Sequence, residues 1–194
     1  MSVHKPVSTS GMYFITFTCY NWLHLLEISN SYDLVYKWFD VMASNGHTIT
    51  GYVIMPNHIH LLLYYAGGKQ GLNTIVGNGK RFMAYDIVAR LKEQREFGLL
   101  HKLSMAVEIK DRMRGKLHEV WEDSFDIKHC RTEKFIMQKL NYMHFNPCAD
   151  RWKLVEKPYD YLHSSASFYE LGIKQYPLLK DYRDFLWLLE DAGS

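Results

Sequence analysis

His58 and His60 stand one residue apart at the head of an apolar run that continues through Leu61, Leu62 and Leu63. Successive strand side chains point to opposite faces, so the two imidazoles share one face while Ile59 and Leu61 share the other. Side-by-side imidazoles on a rigid strand can offer two nitrogens to one divalent cation, with a third ligand needed from elsewhere in the chain. A lone interior histidine is more often hydrogen-bonded packing than a ligand. Here Pro56 and Asn57 are turn formers. They reverse a strand over 48–55 into one over 59–65 and leave the histidines beside a loop where ligands can reach them. Far downstream, Tyr142 and Asn146 are spaced i, i+4, so a helix presents a phenol and an amide on one face while Leu140 and Met143 turn toward the core. An amide oxygen can be a hard ligand for Mg²⁺ or Mn²⁺, and a phenol is a nucleophile once a nearby cation favours its phenolate.

The elements that must position these groups follow from periodicity and punctuation. Residues 13–20 are aromatic, β-branched and partly alternating, which predicts a strand. Ser29, Asn30 and Ser31 offer a cap for a helix over 31–44, which Asn45-Gly46 stops. After the hairpin, Gly67-Gly68 and Gly77-Asn78-Gly79 predict a flexible loop, with a helix starting near Asn73 or Lys80 and ending at Lys92. These glycines fit no nucleotide-binding spacing. Residues 97–119 are polar without a convincing period. Alternation returns over 121–130 as a fourth strand, and Thr132 caps a final helix that Pro147 ends. The tail carries turn signals at Pro158, Gly172 and Pro177.

Strand, helix, strand, strand, helix, strand, helix is the order of an α+β, ferredoxin-like (split βαβ) sandwich. The expectation is an antiparallel sheet with helices on one face, plus a C-terminal tyrosine-bearing helix and tail. It divides into a domain over 1–146 and an extension over 147–194 packed on the same domain.

At 194 residues, with 47% hydrophobic and 23% charged residues, the chain has the composition of a globular protein with a proper core. No apolar run at the N-terminus has signal-peptide length and none approaches a membrane span, so a cytoplasmic location is expected. Cys19, Cys130 and Cys148 are odd in number and widely spaced, which indicates neither a disulfide framework nor a zinc knuckle. The net charge of +2 is unevenly spread: residues 69–116 hold eleven Lys and Arg against five acids. Such a segment, with Lys80, Arg81, Arg112, Arg114 and Lys116 among its cations, suits either a phosphate backbone or a solvated helix face.

The chain resembles a known family at four blocks taken in order. These are His58-Ile59-His60 with Leu61 to Leu63, then Trp121 with Ser124-Phe125, then Tyr142-Met143-His144-Phe145-Asn146-Pro147, then Pro158-Tyr159-Asp160-Tyr161 with Ser164-Ser165. Together they look like the single-tyrosine HUH transposases of the insertion sequence 200 type, and within them most like the REP-associated tyrosine transposases. The resemblance covers about residues 13–171. It implies that His58 and His60 are metal ligands, that Asn146 occupies the place of a third, amide-type ligand, and that Tyr142 is the nucleophile. Two departures stand out. The family's usual Tyr-Ile-His-Asn-Asn-Pro reads Tyr-Met-His-Phe-Asn-Pro here, and Cys148-Ala149-Asp150 replace a more usual small and basic pair, which bears on DNA preference more than on chemistry.

The activity so implied is metal-assisted attack of Tyr142 on single-stranded DNA, with Mg²⁺ or Mn²⁺ as cofactor. A 5′ phosphotyrosine and a free 3′ hydroxyl result, and strand transfer follows without ATP. The expected partner is single-stranded DNA with a flanking hairpin, and the expected assembly a monomer or a homodimer. DNA would run along the sheet and the basic segment, Lys139 lies one turn before Tyr142, and His144 points from another face of the helix. Two other readings stay open: a hairpin-binding module of the same fold that cuts nothing, and a hydrolase that uses water as nucleophile.

Overall fold

A computed structural model describes residues 7–123 and 125–187. Ser124 lies outside the described residues. Four strands, β1 (Gly11–Thr18), β2 (Thr48–Ile54), β3 (His58–Tyr65) and β4 (Asp126–His129), form one sheet in the order β2-β3-β1-β4, with every neighbouring pair antiparallel. The helices are α1 (Leu25–Ile28), α2 (Tyr32–Ser44), α3 (Leu72–Glu93), α4 (Phe97–Met105), α5 (Ile109–Arg112), α6 (Glu133–Phe145) and α7 (Ala166–Leu171). Crossovers through α2 and α3 leave β3 between β1 and β2, and β1 between β3 and β4, which is the split βαβ arrangement.

Alternation along the strands builds two cores. Tyr13, Ile15 and Phe17 of β1 and Ile59, Leu61 and Leu63 of β3 face Val35, Phe39 and Met42 of α2 and Val76, Met83 and Ile87 of α3. Met12 and Phe14 of β1, Val53 of β2 and Leu62 of β3 face Ile136, Leu140 and Met143 of α6. The two sandwich helices therefore share one face of the sheet, and the tyrosine-bearing helix lies on the other.

Two glycines let helices approach closely. At Gly51, just past an irregularity in the β2–β3 register, an added Cβ would stand 2.6 Å from the Leu140 side chain, so α6 seats Leu140 in the space that Gly51 leaves. At Gly79 an added Cβ would meet the Trp38 indole at 2.4 Å.

The second contact explains why Gly79 sits inside α3 instead of forming a loop: the helix needs a missing side chain where it crosses α2. Gly77→Ala, which meets nothing within 4 Å, is expected to stabilise the protein by about 1 kcal/mol through helix propensity. Gly79→Ala forces a buried indole to move and is expected to destabilise by about 1–3 kcal/mol. Thermal melts check the pair, and a Gly79→Ala protein as stable as Gly77→Ala would contradict the packing.

Residues 97–119, polar and without a convincing period in the sequence, contain α4 and α5. Leu100 and Leu103 of α4 are buried on the α3 side, a short apolar edge too brief for periodicity to reveal. Trp121 lies outside β4, in an isolated bridge to Cys19. The tail runs along the free edge of β2: the Ile54 amide donates to the His163 carbonyl at 2.8 Å, and the Ser165 amide to the Tyr52 carbonyl at 2.9 Å. The Tyr161 hydroxyl donates to the Ile54 carbonyl at 2.9 Å and that of Tyr169 to the Thr50 carbonyl at 2.5 Å. An edge strand that would otherwise offer unpaired amides is thus covered.

Candidate active site

His58 opens β3 and His60 follows on the same face, beneath the C-terminal end of α6. The Nδ1 of His58 meets the Asn57 side-chain oxygen at 2.7 Å, and the Nδ1 of His60 meets the hydroxyl of Thr16, its cross-strand partner, at 2.7 Å. Asn57 Oδ1 can only accept, so His58 carries its proton on Nδ1. The same tautomer of His60 lets its Nε2 accept from the Asn146 amide nitrogen, 3.1 Å away. Both Nε2 lone pairs therefore point away from the strand, each imidazole oriented by a partner on its other nitrogen, as in histidines that hold metals.

Asn146 reaches this place because Pro147 ends α6 and the chain turns through a 3₁₀ segment, Asn146–Cys148. Thr132 caps the other end of the helix by accepting from the Phe135 amide. His58, His60 and Asn146 are 1%, 3% and 4% exposed. Within this closed space His58 Nε2 and Asn146 Oδ1 close no hydrogen bond of ordinary geometry among the described residues, although Asn146 faces His58 closely enough to favour its charged form. Buried acceptors without donors are uncommon and call for a partner. Two neutral nitrogens and one amide oxygen fit a divalent ion that completes its shell with other oxygens. Among the described residues no group of three His, Cys, Asp or Glu could hold a metal. The donor set carries no negative charge, so most of the attraction for a cation has to come from an anionic ligand.

Electrostatics keep the imidazoles available as donors. Burial, reinforced by the charge of Arg151, pulls His58 down to about 4. Burial, then His58, Arg151 and Lys139, holds His60 well below the ordinary imidazole value of 6.5. Burial alone takes His144 to about 4. All three accept protons more readily unfolded than folded; for His58 and His144 the stability is full above pH 6.5 and is lost as pH falls toward 4. Each contributes a loss approaching about 1.4 kcal/mol per pH unit inside that window. Melting temperatures measured from pH 7 to pH 5 should fall steadily, and a flat profile would contradict the burial.

Tyr142 lies on α6 with its ring centre 5.1 Å from that of His60 and 6.4 Å from that of Phe14, and its side chain is half exposed. Phe14 in turn stacks on His60 at 5.4 Å. Lys139 places its ammonium 5.8 Å from the Tyr142 ring centre and 5.1 Å from those of Phe14 and Phe135. Phenol, amide and imidazole pair therefore meet within one chain. His144 turns inward, its Nε2 2.8 Å from the Ser165 hydroxyl. Ser165 also binds the Tyr52 backbone, so the tail and α6 are joined through β2.

The other expected DNA contacts lie elsewhere. Lys80 is buried, with its ammonium donating to the Glu122 carbonyl at 2.8 Å, and burial brings it down to about 8. Its ammonium is thus already engaged by a backbone carbonyl. Arg81 packs on Phe82, Arg112 donates to the Ser104 carbonyl, Arg114 lies 3.7 Å from Asp111, and Lys116 pairs with Glu119. With Lys92, the residues Lys80, Arg81, Arg114 and Lys116 line a cavity of about 620 Å³ between α3 and 114–123. Because α3 and α6 occupy opposite faces of the sheet, these cations do not surround Tyr142.

Several neighbours of the site were not legible beforehand. Asn57 reads as a turn former and Thr16 as an ordinary strand residue. Arg151 and Trp152 fall in a tail with no period. Trp152 and Trp22 flank His58, each with its ring centre 5.6 Å away. Only the aromatic content of these stretches gave any signal.

No family model matches the chain, and no curated protein matches it. Among solved structures, the chain is similar to a REP-associated tyrosine transposase bound to a REP hairpin, at 17% identity and a TM-score of 0.59, over 92% of this chain and 90% of that one. A putative transposase from Deinococcus radiodurans R1, at 17% identity and 73% and 95% coverage, superposes with a TM-score of 0.36, too loosely to bear on the fold. The first similarity extends over nearly the whole of both chains, and the shared feature is the fold.

Proposed function

We propose that this chain is a single-tyrosine transposase of the REP-associated kind, which breaks and rejoins single-stranded DNA through a tyrosine-linked intermediate. The observation that carries this reading is the meeting, within one chain, of a half-exposed phenol with two neutral, pre-oriented imidazoles and an amide, where His58 Nε2 and Asn146 Oδ1 have no donor among the described residues. The shared fold with a transposase solved on a REP hairpin supports a hairpin nucleic acid as partner. A module that only binds DNA has no physical need for two closed-off, unpartnered acceptors beside an accessible phenol.

In this reading His58, His60 and Asn146 would hold Mg²⁺ or Mn²⁺, which would supply positive charge beside the scissile phosphate. Tyr142 loses its proton to water, and its oxygen forms a bond to phosphorus while the bond to the 3′ oxygen breaks. The products are a 5′ phosphotyrosine and a free 3′ hydroxyl; attack by another 3′ hydroxyl reverses the step and restores the phenol. Phe14 and Lys139 limit where the phenol ring can lie, which shortens the search for an in-line approach. Lys139 and Arg151 are the cations whose fields reach the imidazoles, and they complement the phosphate charge there.

The test is a labelled single-stranded oligonucleotide bearing a hairpin, incubated with the protein and Mn²⁺ and resolved on a denaturing gel. The expected result is a protein-linked band that carries the fragment 3′ of the break, joined through its 5′ phosphate, and that EDTA prevents. Cleavage that releases free 5′ phosphates without a protein-linked band would replace the tyrosine with water as nucleophile.

A further inference from the structure

Asn21 and Trp22 are consecutive residues with φ of 50° and 56°. Bulky L residues rarely enter this left-handed region, and two in succession are held there only by their surroundings. The Asn21 amide donates to the Glu122 carboxylate at 2.7 Å, the Trp22 amide to the Cys19 carbonyl at 3.1 Å, and the Asn57 side-chain amide to the Trp22 carbonyl at 2.8 Å. These bonds do not bury the indole. Trp22 is 52% exposed, whereas Trp38 and Trp121 are packed into the core.

The exposed ring lies 5.6 Å from His58, at 65° to the imidazole. Asn57 fixes both partners: its oxygen orients His58 while its nitrogen holds the backbone of Trp22. One side chain thus sets the distance between an imidazole and an indole turned half into water. On the other side of His58, Trp152 is partly buried and its ring packs over the imidazole, so His58 already has a cover and Trp22 is not needed for one. A strained turn that holds an aromatic face outward beside a phosphate-binding position has the geometry of a support for a base. Stacking on an aromatic ring is worth about tenfold in affinity per base and accepts any base.

We propose that Trp22 is a stacking platform for an unpaired nucleobase next to the scissile phosphate, an inference that rests on the reading of the site above. Binding, not cleavage, tests it, so the two can fail separately. The probes are a 20-nucleotide oligothymidylate and a 20-mer of abasic deoxyribose phosphate, titrated in EDTA so that no break forms. The parent protein should bind the thymidylate about tenfold more tightly. Trp22→Ala should lose most of that difference while its affinity for the abasic strand stays unchanged, and Trp22→Phe should keep most of it. Trp22→Gly, which relaxes the left-handed turn, should show the same loss of discrimination with a melting temperature equal to or above that of the parent. Equal loss on both strands, a parent that does not distinguish them, or a falling melting temperature in Trp22→Gly would each overturn the platform. An adduct lost in Tyr142→Phe together with unchanged discrimination would separate the platform from the chemistry.

Discussion

Tyr142→Phe is expected to abolish the protein-linked DNA band, a loss of about a thousandfold or more, while single-stranded DNA binding and the melting temperature stay unchanged. The phenyl ring keeps the edge contacts with His60 and Phe14, and the hydroxyl that disappears belongs to a half-exposed side chain, so nothing structural is removed. The chain has fourteen tyrosines, and many of the others are buried. Burial holds Tyr161 and Tyr169 well above the usual phenol value, which makes them poor nucleophiles. A band that survives in Tyr142→Phe would have to come from another exposed tyrosine such as Tyr85 and would remove Tyr142 from the role.

His58→Ala and His60→Ala should each reduce cleavage by at least about a hundredfold at any Mn²⁺ concentration that supports the parent, because two nitrogens cannot be replaced by one. Asn57→Ala removes only the group that orients His58 and should cost less, about ten- to a hundredfold. The neutral donor set adds a second expectation. Mn²⁺ should bind weakly to the protein alone and more tightly with single-stranded DNA present, since the phosphate brings the missing negative charge. Titration of Mn²⁺ with and without oligonucleotide, on parent and His60→Ala, reads this directly. Tight binding to the free protein that survives the histidine changes would place the ion elsewhere.

How much of this was legible depends on how local each feature is. The turn at Pro56-Asn57, the cap at Thr132 and the stop at Pro147 are decided by neighbouring residues, and they place His58, His60, Tyr142 and Asn146 on the right elements. Gly79 misled because its reason, the Trp38 indole on another helix, is distant in the sequence. The short α4 buries too few residues to show a period. Thr16 reaches His60 through strand register, and Ser165 reaches His144 through a tail whose path no local pattern encodes. Nor does local charge show where a side chain ends: Lys80 is basic in the sequence, but its ammonium donates to the Glu122 carbonyl.

The manner in which α6 is fastened has a mechanical consequence. Its first turn is tied by the Tyr182 hydroxyl donating to Glu133, its middle is keyed by Leu140 into the space at Gly51, and its last turn is anchored through His144 to Ser165 and through Asn146 to His60. A post fixed at its foot, waist and head does not swing. In the proposed reaction a 5′ end joined to Tyr142 stays where it was formed, so the incoming 3′ end has to travel to it, and the order in which strands are exchanged is set by the flexibility of the DNA.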